Sequence, residues 1–575
     1  MPIHVQYTYS LLTTTMPPHY VIVTGGVLSG LGKGVATASL GALFGMMGLR
    51  CTLKKLDPYL NVDPGTMNPV EHGEVFVTHD GAETDLDLGY YERFAGIRAT
   101  KANSTSSGQL FQRLLERERK GDFLGKTVQM VPHFTDELQA FIERDADAYD
   151  VVLCEIGGSV GDIEAMAFYE ALCRLRAKVG QQRFVLVHLV YIVHYLASNE
   201  FKTKPAQNAI RDLMRTGLTP DVLVCRFEHP TCAVLPADVK AKLRQHCAHI
   251  VDAPNVASIY DIPLRFVAQG LPAFFRQRFA LAQAASVDTR RWEAVGLRIA
   301  AAAQSDAPPL RVALFGKYVQ LHDAYCSLLE AVFHASLADG VRRAVEYVWV
   351  DTRTLEAELG GLPEAEARAR VRGALDGADA VLVPGGFGAT GLDAMVACLR
   401  EAREAGTPTL GICLGMQLLV VEWMRHVVGN TKAVSEEWEA EATTTTSGVP
   451  TTSRSNVVVG LLEGMDTAKL GGTMRLGSHP VALRPGSRVH ALYDRQPTTH
   501  ERHRHRYEVQ PACVPALEGS GLRVSGHRDG LVEVVEHADA ERPLYVGCQF
   551  HPEYTSSPFA PHPLVVGWLR AAARR

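Results

Sequence analysis

Long apolar runs are missing from this 575-residue sequence. The longest, residues 184–193, contains His188 and falls well short of the roughly 18 consecutive apolar residues that a membrane helix requires. A soluble, cytoplasmic chain with no membrane partner is expected. Cysteine pairing is equally scarce: the eleven cysteines are odd in number, Cys225 and Cys232 are the closest pair, and no CxxC spacing occurs. That excludes a zinc knuckle or a short disulfide framework and leaves reduced thiols. Excess positive charge is absent too, since 58 basic residues face 63 acidic ones for a net charge of −5, which argues against bulk nucleic-acid binding. The short basic run Arg502-His503-Arg504-His505-Arg506 lacks interleaved aromatics and makes a weak RNA signal. Residues 1–18 have no basic region and one short apolar pair, so they read as an extension rather than a targeting signal. No repeat of 20 to 50 residues is present. What remains points to small ligands.

With 46% hydrophobic content, the length predicts two or three domains. Strand-like runs at 21–24, 151–154, 184–193 and 221–225 alternate with helix-like segments, which predicts an α/β fold with a parallel sheet and ligands beyond the strands' carboxyl ends. The texture changes after Phe279: an alanine-rich, helical stretch at 292–303 precedes a proline-ended break at 305–309. We therefore expect a first α/β domain at 19–285, a linker at 286–309 and a second α/β domain at 310–575, whose strands are read at 311–315, 380–383, 408–412 and 544–550. The Thr-rich stretch at 439–455 lacks core periodicity and is expected as a surface loop.

The first candidate site lies at 25–34, where Gly25, Gly26, Val27, Leu28, Ser29, Gly30, Leu31, Gly32, Lys33 and Gly34 join a strand to a helix. Backbone N–H groups and the helix dipole can cradle phosphate there, and Lys33 adds a mobile cation. The strict P-loop pattern fails, because Val27 stands at its first glycine and Gly34 replaces the Ser or Thr after lysine. Acidic groups at Glu83, Asp85 and Asp87, and at Glu155, offer hard oxygens for Mg²⁺ beside nucleotide phosphates. Lys55 with Asp57, and Lys202 with Lys204, could bind a second polyphosphate or could be solvated charges.

The second site centres on Cys413, set between Gly411 and Gly415 after an apolar strand, in the manner of a nucleophile elbow. Far along the chain, a strand ends at Gln549-Phe550-His551-Pro552-Glu553. His551 could take the thiol proton while Glu553 orients the imidazole. A third strand-end turn, Pro384-Gly385-Gly386-Phe387-Gly388, can aim N–H groups at a carbonyl oxygen. Together they suggest acyl transfer through a thioester.

With these residues assembled, the sequence closely resembles the CTP synthase family over roughly residues 19–570, and Gly-Ile-Cys-Leu-Gly-Met-Gln at 411–417 matches class I glutamine amidotransferases. Stretches at 55–67, 72–76, 81–89, 155–164 and 501–509 resemble the synthase specifically. The resemblance implies that ATP phosphorylates O4 of UTP and that ammonia from glutamine then displaces phosphate to give CTP. It implies Lys33 and Lys55 at the phosphates, ATP on Ser29, Gly30, Leu31, Gly32, Lys33, Gly34 and Asp87, and Mg²⁺ on Asp87 and Glu155. Ser29, Asp162, Glu164, Lys202, Lys204, Gln207 and Lys242 match the UTP/CTP site. Cys413, His551 and Glu553 match the glutaminase triad, Gly385 and Leu414 the oxyanion donors, and Gly386, Gln417, Glu437 and Arg506 the glutamine contacts. A homotetramer, an ammonia tunnel, GTP activation and filaments are implied by the family alone.

Three departures stand out. Thr390 replaces an arginine usual in the family's lid loop, residues 225–242 diverge around Lys242, and Val434-Ser435-Glu436-Glu437-Trp438 alters the family's Asn-Ser-Thr-Glu-Phe stretch. The competing readings are another ATP-dependent amidotransferase of the cobyrinic acid amide synthase kind and a non-catalytic, filament-forming homologue. Retention of Cys413, Lys33, Asp87 and Glu155 counts against the second, and the synthase-specific stretches count against the first.

Overall fold

The computed structural model describes residues 17–26, 28, 30–281, 286–438, 456–462 and 474–575. Ser29, the expected loop at 439–455 and all but the last two residues of the 1–18 extension lie outside them. The chain forms two compact units. One contains the described residues up to 64 and Asp87–Gly296; the other contains Gly65–Leu86 and Leu297–Arg575.

In the first unit, seven strands make a parallel sheet in the order His249–Pro254, Val222–Phe227, Phe184–Tyr195, His19–Gly25, Val151–Ile156, Cys51–Asp57 and Ser104–Ser106. An eighth, Glu200–Lys202, pairs antiparallel with the end of the long strand. The sequence HYVIVTG of His19–Gly25 is buried at every position, as a strand covered on both faces requires. Leu138 and Phe141 of one helix, and Phe168 and Leu172 of another, pack on Ile22, Val152, Cys154 and Leu186. After His19–Gly25 the chain winds to one side of the sheet, and after Val151–Ile156 it crosses to the other. In such doubly wound sheets ligands bind beyond the carboxyl ends of the strands, near the reversal.

The second unit holds a nine-stranded sheet ordered Val345–Asp351, Leu310–Gly316, Ala380–Val383, Thr409–Ile412, Tyr545–Cys548, Leu531–His537, Leu522–Arg528, Arg475–Leu483 and Thr498–His505. The first five strands run parallel, and the remaining pairings are antiparallel. The helix Leu414–Trp423 is buried at every residue, which explains its mostly apolar sequence LGMQLLVVEW, and its two polar side chains are paired, Gln417 with the Tyr507 carbonyl and Glu422 with Arg403.

The segment Gly65–Leu86 departs from a sequential division of the chain, because its polar and backbone partners lie in the second unit. Its hairpin pairs Val75–Val77 with Glu83–Asp85. Arg502 donates to the Val77 carbonyl at 3.0 Å, Arg504 to Glu83 Oε1 at 2.8 Å, and the Tyr554 hydroxyl to the Val75 carbonyl at 3.0 Å. Gly477 (φ +86°) passes so close that a Cβ there would lie 2.8 Å from the Gly81 nitrogen. The basic run thus follows strand periodicity: Arg502 and Arg504 reach the hairpin, while His503 and His505 are buried and His503 Nε2 meets Glu533 Oε2 at 2.8 Å. Among the described residues no helix is long and apolar enough to cross a membrane.

Candidate active sites

In the first unit, Lys33 begins the helix Lys33–Met46, and its Nζ donates to the Gly158 carbonyl at 2.7 Å. The loop glycines Gly30 and Gly32 have φ of +71° and +88°, which favour glycine. Burial lowers the Lys33 pKa from its ordinary value, and the carboxylate of Glu155 opposes that shift. Register brings Lys55 beside Glu155 on adjacent strands. Lys55 Nζ lies 3.2 Å from Glu155 Oε1 and 3.7 Å from Asp57 Oδ1, and it also contacts Asp87 Oδ2. Asp87 starts the helix Asp87–Ala95, and Tyr91, one turn on, donates its hydroxyl to Glu155 Oε2 at 2.5 Å. Burial and the neighbouring Glu155 hold the Tyr91 phenol well above its usual pKa, so it remains a donor.

This arrangement accounts for Gly34. A Cβ there would lie 1.8 Å from Asp87 Oδ1, so the space that a P-loop gives to Ser or Thr is filled by a carboxylate. Beside Gly32 runs a cleft walled by Val35, Val224, Pro254, Val256, Ile259 and Phe266, with Arg226 at its edge. Arg226 is fixed by bonds to the Ala253 carbonyl at 2.9 Å and to Asn255 Oδ1 at 2.9 Å. These residues sit on separate elements, which is why no local motif announces them.

Of the residues matched to UTP, Ser29 lies outside the described residues, and the others are spread over three places: exposed Asp162 and Glu164 at the short turn after Val151–Ile156, exposed Lys202 and Lys204 with half-buried Gln207 around the start of Lys204–Arg215, and exposed Lys242 on Ala237–Arg244. No hydrogen bond or ion pair joins Asp162 or Glu164 to these lysines. Asp162 accepts from the Ser159 nitrogen at 2.9 Å, and Lys202 pairs with Glu200.

In the second unit, Cys413 has φ +52° and ψ −104°, a strained conformation for a side-chain-bearing residue, costing on the order of 1–3 kcal/mol. Glycines make the turn possible: a Cβ on Gly411 would fall 2.6 Å from the Gly415 carbonyl oxygen, and one on Gly415 would fall 2.1 Å from that of Val383. His551 Nδ1 lies 2.7 Å from Glu553 Oε1, leaving Nε2 for the thiol. Burial acts against a charged ring, but Glu553 and the Cys413 sulfur outweigh it and push His551 up to about 10. Gly385 faces this pair, since a Cβ there would come 2.9 Å from His551 Cε1 and 3.5 Å from Cys413 Cβ. Leu414 is the first residue of the helix behind the nucleophile.

The remaining predicted contacts cluster on the Gly385 loop and its neighbours. Glu437 Oε1 accepts from the Gly388 nitrogen at 2.8 Å, and Arg506 lies over the Phe387 ring at 5.7 Å. Gln417 donates to the Tyr507 carbonyl at 2.8 Å. Sequence reasoning missed Lys317, a buried ammonium that donates to the carbonyls of Phe387 and Gly388, and Arg504, which stacks on Phe387 at 5.0 Å. It also missed Glu74, Val75 and Tyr554, which line the pocket of Cys413 and His551.

Two family models match the chain: CTP synthase N-terminus over residues 19–281 and glutamine amidotransferase class-I over 320–570. The CTP synthase of Paracoccus denitrificans (strain Pd 1222) is 44% identical over 561 residues, covering 96% of this chain and 98% of that protein. The CTP synthase of Methanopyrus kandleri is 44% identical over 562 residues, with 96% and 99% covered. The chain belongs to the CTP synthase family. The architecture of that family is that of a glutamine-hydrolysing carbon–nitrogen ligase, with an N-terminal synthetase region followed by a class I amidotransferase region. A solved glutaminase domain of Trypanosoma brucei CTPS with bound acivicin is 34% identical, covering 46% of this chain and 94% of that one at a TM-score of 0.39.

Proposed function

We propose that this chain makes CTP from UTP, ATP and glutamine, with the phosphoryl and amino-transfer steps on the first unit and glutamine hydrolysis on the second. The observation that carries the reading is that one chain holds both a strained Cys413 facing a paired His551 and Glu553, and a Lys55 flanked by Asp87 and Glu155 at the end of a parallel sheet. A cobyrinic acid amide synthase-like activity and a non-catalytic role are disfavoured by the family match along almost the whole chain.

In the glutaminase step, His551 takes the Cys413 proton, and the thiolate attacks the side-chain carbonyl carbon of glutamine. The backbone N–H groups of Gly385 and Leu414 stabilise the oxyanion. Return of the proton from His551 to nitrogen releases ammonia and leaves a thioester, which water hydrolyses to glutamate. Gly386, Gln417, Glu437 and Arg506 would hold the substrate amino acid.

In the synthetase step, the loop at Ser29, Gly30, Leu31, Gly32, Lys33 and Gly34 cradles the ATP phosphates, and the apolar cleft beside Gly32 takes its nucleoside. Transfer of the terminal phosphoryl group to O4 of UTP creates a good leaving group, and ammonia at C4 expels phosphate. Lys33 and Lys55 bind the transferring group. The carboxylates of Asp57, Asp87 and Glu155 outnumber the ammonium groups of Lys55 and the neighbouring Lys33, so hard oxygens and the remaining negative charge fit a divalent cation. Mg²⁺ takes one or two protein carboxylates and the rest of its shell from phosphate and water. Asp87 and Glu155 would hold Mg²⁺, which when bound offsets charge on the transferring phosphoryl group. Asp162, Glu164, Lys202, Lys204, Gln207 and Lys242 would take UTP and inhibitory CTP.

A homotetramer is part of the reading, and filaments are compatible with it. Leu60, Met130, Val131, Ile163 and Met166 are exposed apolar side chains beside Glu164, the kind of surface that another copy covers. GTP would activate, and the chain would work in the cytoplasm. The test is CTP formation from UTP, ATP, Mg²⁺ and glutamine by the purified full chain, with omission of each substrate. CTP appearing only in the complete mixture is expected; ATP-dependent amidation of a different acceptor, with UTP untouched, would reject the reading.

A further inference from the structure

Both N–H groups of the Gln417 side chain are committed, one to the Tyr507 carbonyl oxygen at 2.8 Å and one to Gln549 Oε1 at 3.2 Å. A backbone carbonyl can only accept, so the Gln417 amide has a single satisfactory orientation. The Gln549 amide must then turn its oxygen toward Gln417, which leaves its NH₂ facing the nucleophile, with Nε2 at 3.6 Å from Cys413 Sγ. Gln549 is fully buried, and its backbone nitrogen donates to the Glu533 carbonyl at 2.8 Å. Its side chain is thereby fixed at both ends.

We infer that Gln549 is a further catalytic residue of the glutaminase step, donating an N–H to the Cys413 sulfur and favouring the thiolate. The inference rests on Cys413 being the nucleophile. The sulfur also faces the Arg504 carbonyl oxygen at 3.7 Å, which accepts from the thiol and so favours the neutral form. When the proton passes to His551, that bond is lost, while the Gln549 N–H gains a charged acceptor. In a site where Cys413 is 4% exposed, little water is present to do the same. The same donor assists again when the thioester breaks and the sulfur leaves as thiolate. Its orientation is inherited through Gln417 from the Tyr507 carbonyl.

The test uses Gln549→Glu, which replaces the NH₂ with an acceptor of the same shape, and Gln549→Met, which removes the donor at similar volume. The pH dependence of iodoacetamide labelling is measured on the full chain, with peptide mapping to Cys413 and Cys413→Ala as the blank. The expected result is an alkaline displacement of the labelling profile, about tenfold slower labelling at neutral pH for Gln549→Glu, and a smaller displacement in the same direction for Gln549→Met. The glutamine-dependent kcat falls in parallel while KM for glutamine changes little. A structural role would lower the melting temperature and leave the profile in place. Profiles that overlay wild type in either folded variant overturn the inference, as does failure of both variants to fold, which would assign Gln549 to the fold through the bond it accepts from Gln417. If wild-type labelling does not map to Cys413, the nucleophile assignment fails instead.

Discussion

Lys55 shows how much chemistry one residue can concentrate. Its ammonium is buried against Asp57, Asp87 and Glu155, and removing any one carboxylate changes the local charge by a full unit in a poorly solvated site. Asp87→Asn and Glu155→Gln should each reduce CTP formation by about 100-fold or more at limiting Mg²⁺, equally with glutamine and ammonia. Partial recovery in excess Mg²⁺ is expected, and wild-type rates at limiting Mg²⁺ would remove both residues from the metal assignment. His551 allows a test by pH. Its folded pKa of about 10 exceeds the ordinary 6.5, so its pairing contributes stability that is complete below pH 6.5 and disappears as pH rises through 10. Melting temperatures followed across that window should show an alkaline loss in wild type that Glu553→Gln largely abolishes; equal slopes would mean that Glu553 does not hold the ring charged.

Helix starts and turns carry the next level of constraint. Gly34 reads in the sequence as a defect in a P-loop, and only the structure shows that Asp87 occupies the space a side chain would need. Gly34→Ser, which restores the strict motif, should therefore impair rather than improve the enzyme. We expect a loss of about 1–3 kcal/mol in stability, a raised KM for ATP and slower CTP formation with either nitrogen source. An unchanged KM and melting temperature would mean that Asp87 moves aside without consequence. The strand ends, the Cys413 elbow and the His551–Glu553 pair were legible because each is local: an apolar run, two glycines, a two-residue spacing. The cleft beside Gly32 and the clamps on Phe387 were not, since the fold alone gathers Arg226, Pro254 and Phe266 at the first and, in the other unit, Lys317 and Arg504 at the second. Thr390, exposed in the turn after the Gly385 loop, belongs to this scale as well. Thr390→Arg should lower the GTP concentration for half-maximal glutamine-dependent activity, because a guanidinium offers phosphate a bidentate partner that threonine lacks. No shift, with ammonia-dependent activity intact, would show that another residue supplies the charge.

At the scale of the molecule, the chain leaves its first unit after Pro64, contributes a hairpin and Glu74, Val75 and Glu83 to the second, and returns at Asp87. Sequence order concealed this, because the partners of the hairpin lie some four hundred residues later in Arg502, Arg504 and Tyr554. The alternation of arginine and histidine there was visible, but which face met what depended on tertiary contacts. The proposed function separates two chemistries into two units of one chain, and that separation can be measured. Its most direct test is CTP formation by Cys413→Ala with glutamine and, separately, with ammonia. Glutamine-dependent synthesis should fall by about 10³-fold or more while ammonia-dependent synthesis stays close to wild type. Equal loss with both nitrogen sources, in a variant that folds, would contradict the two-site assignment.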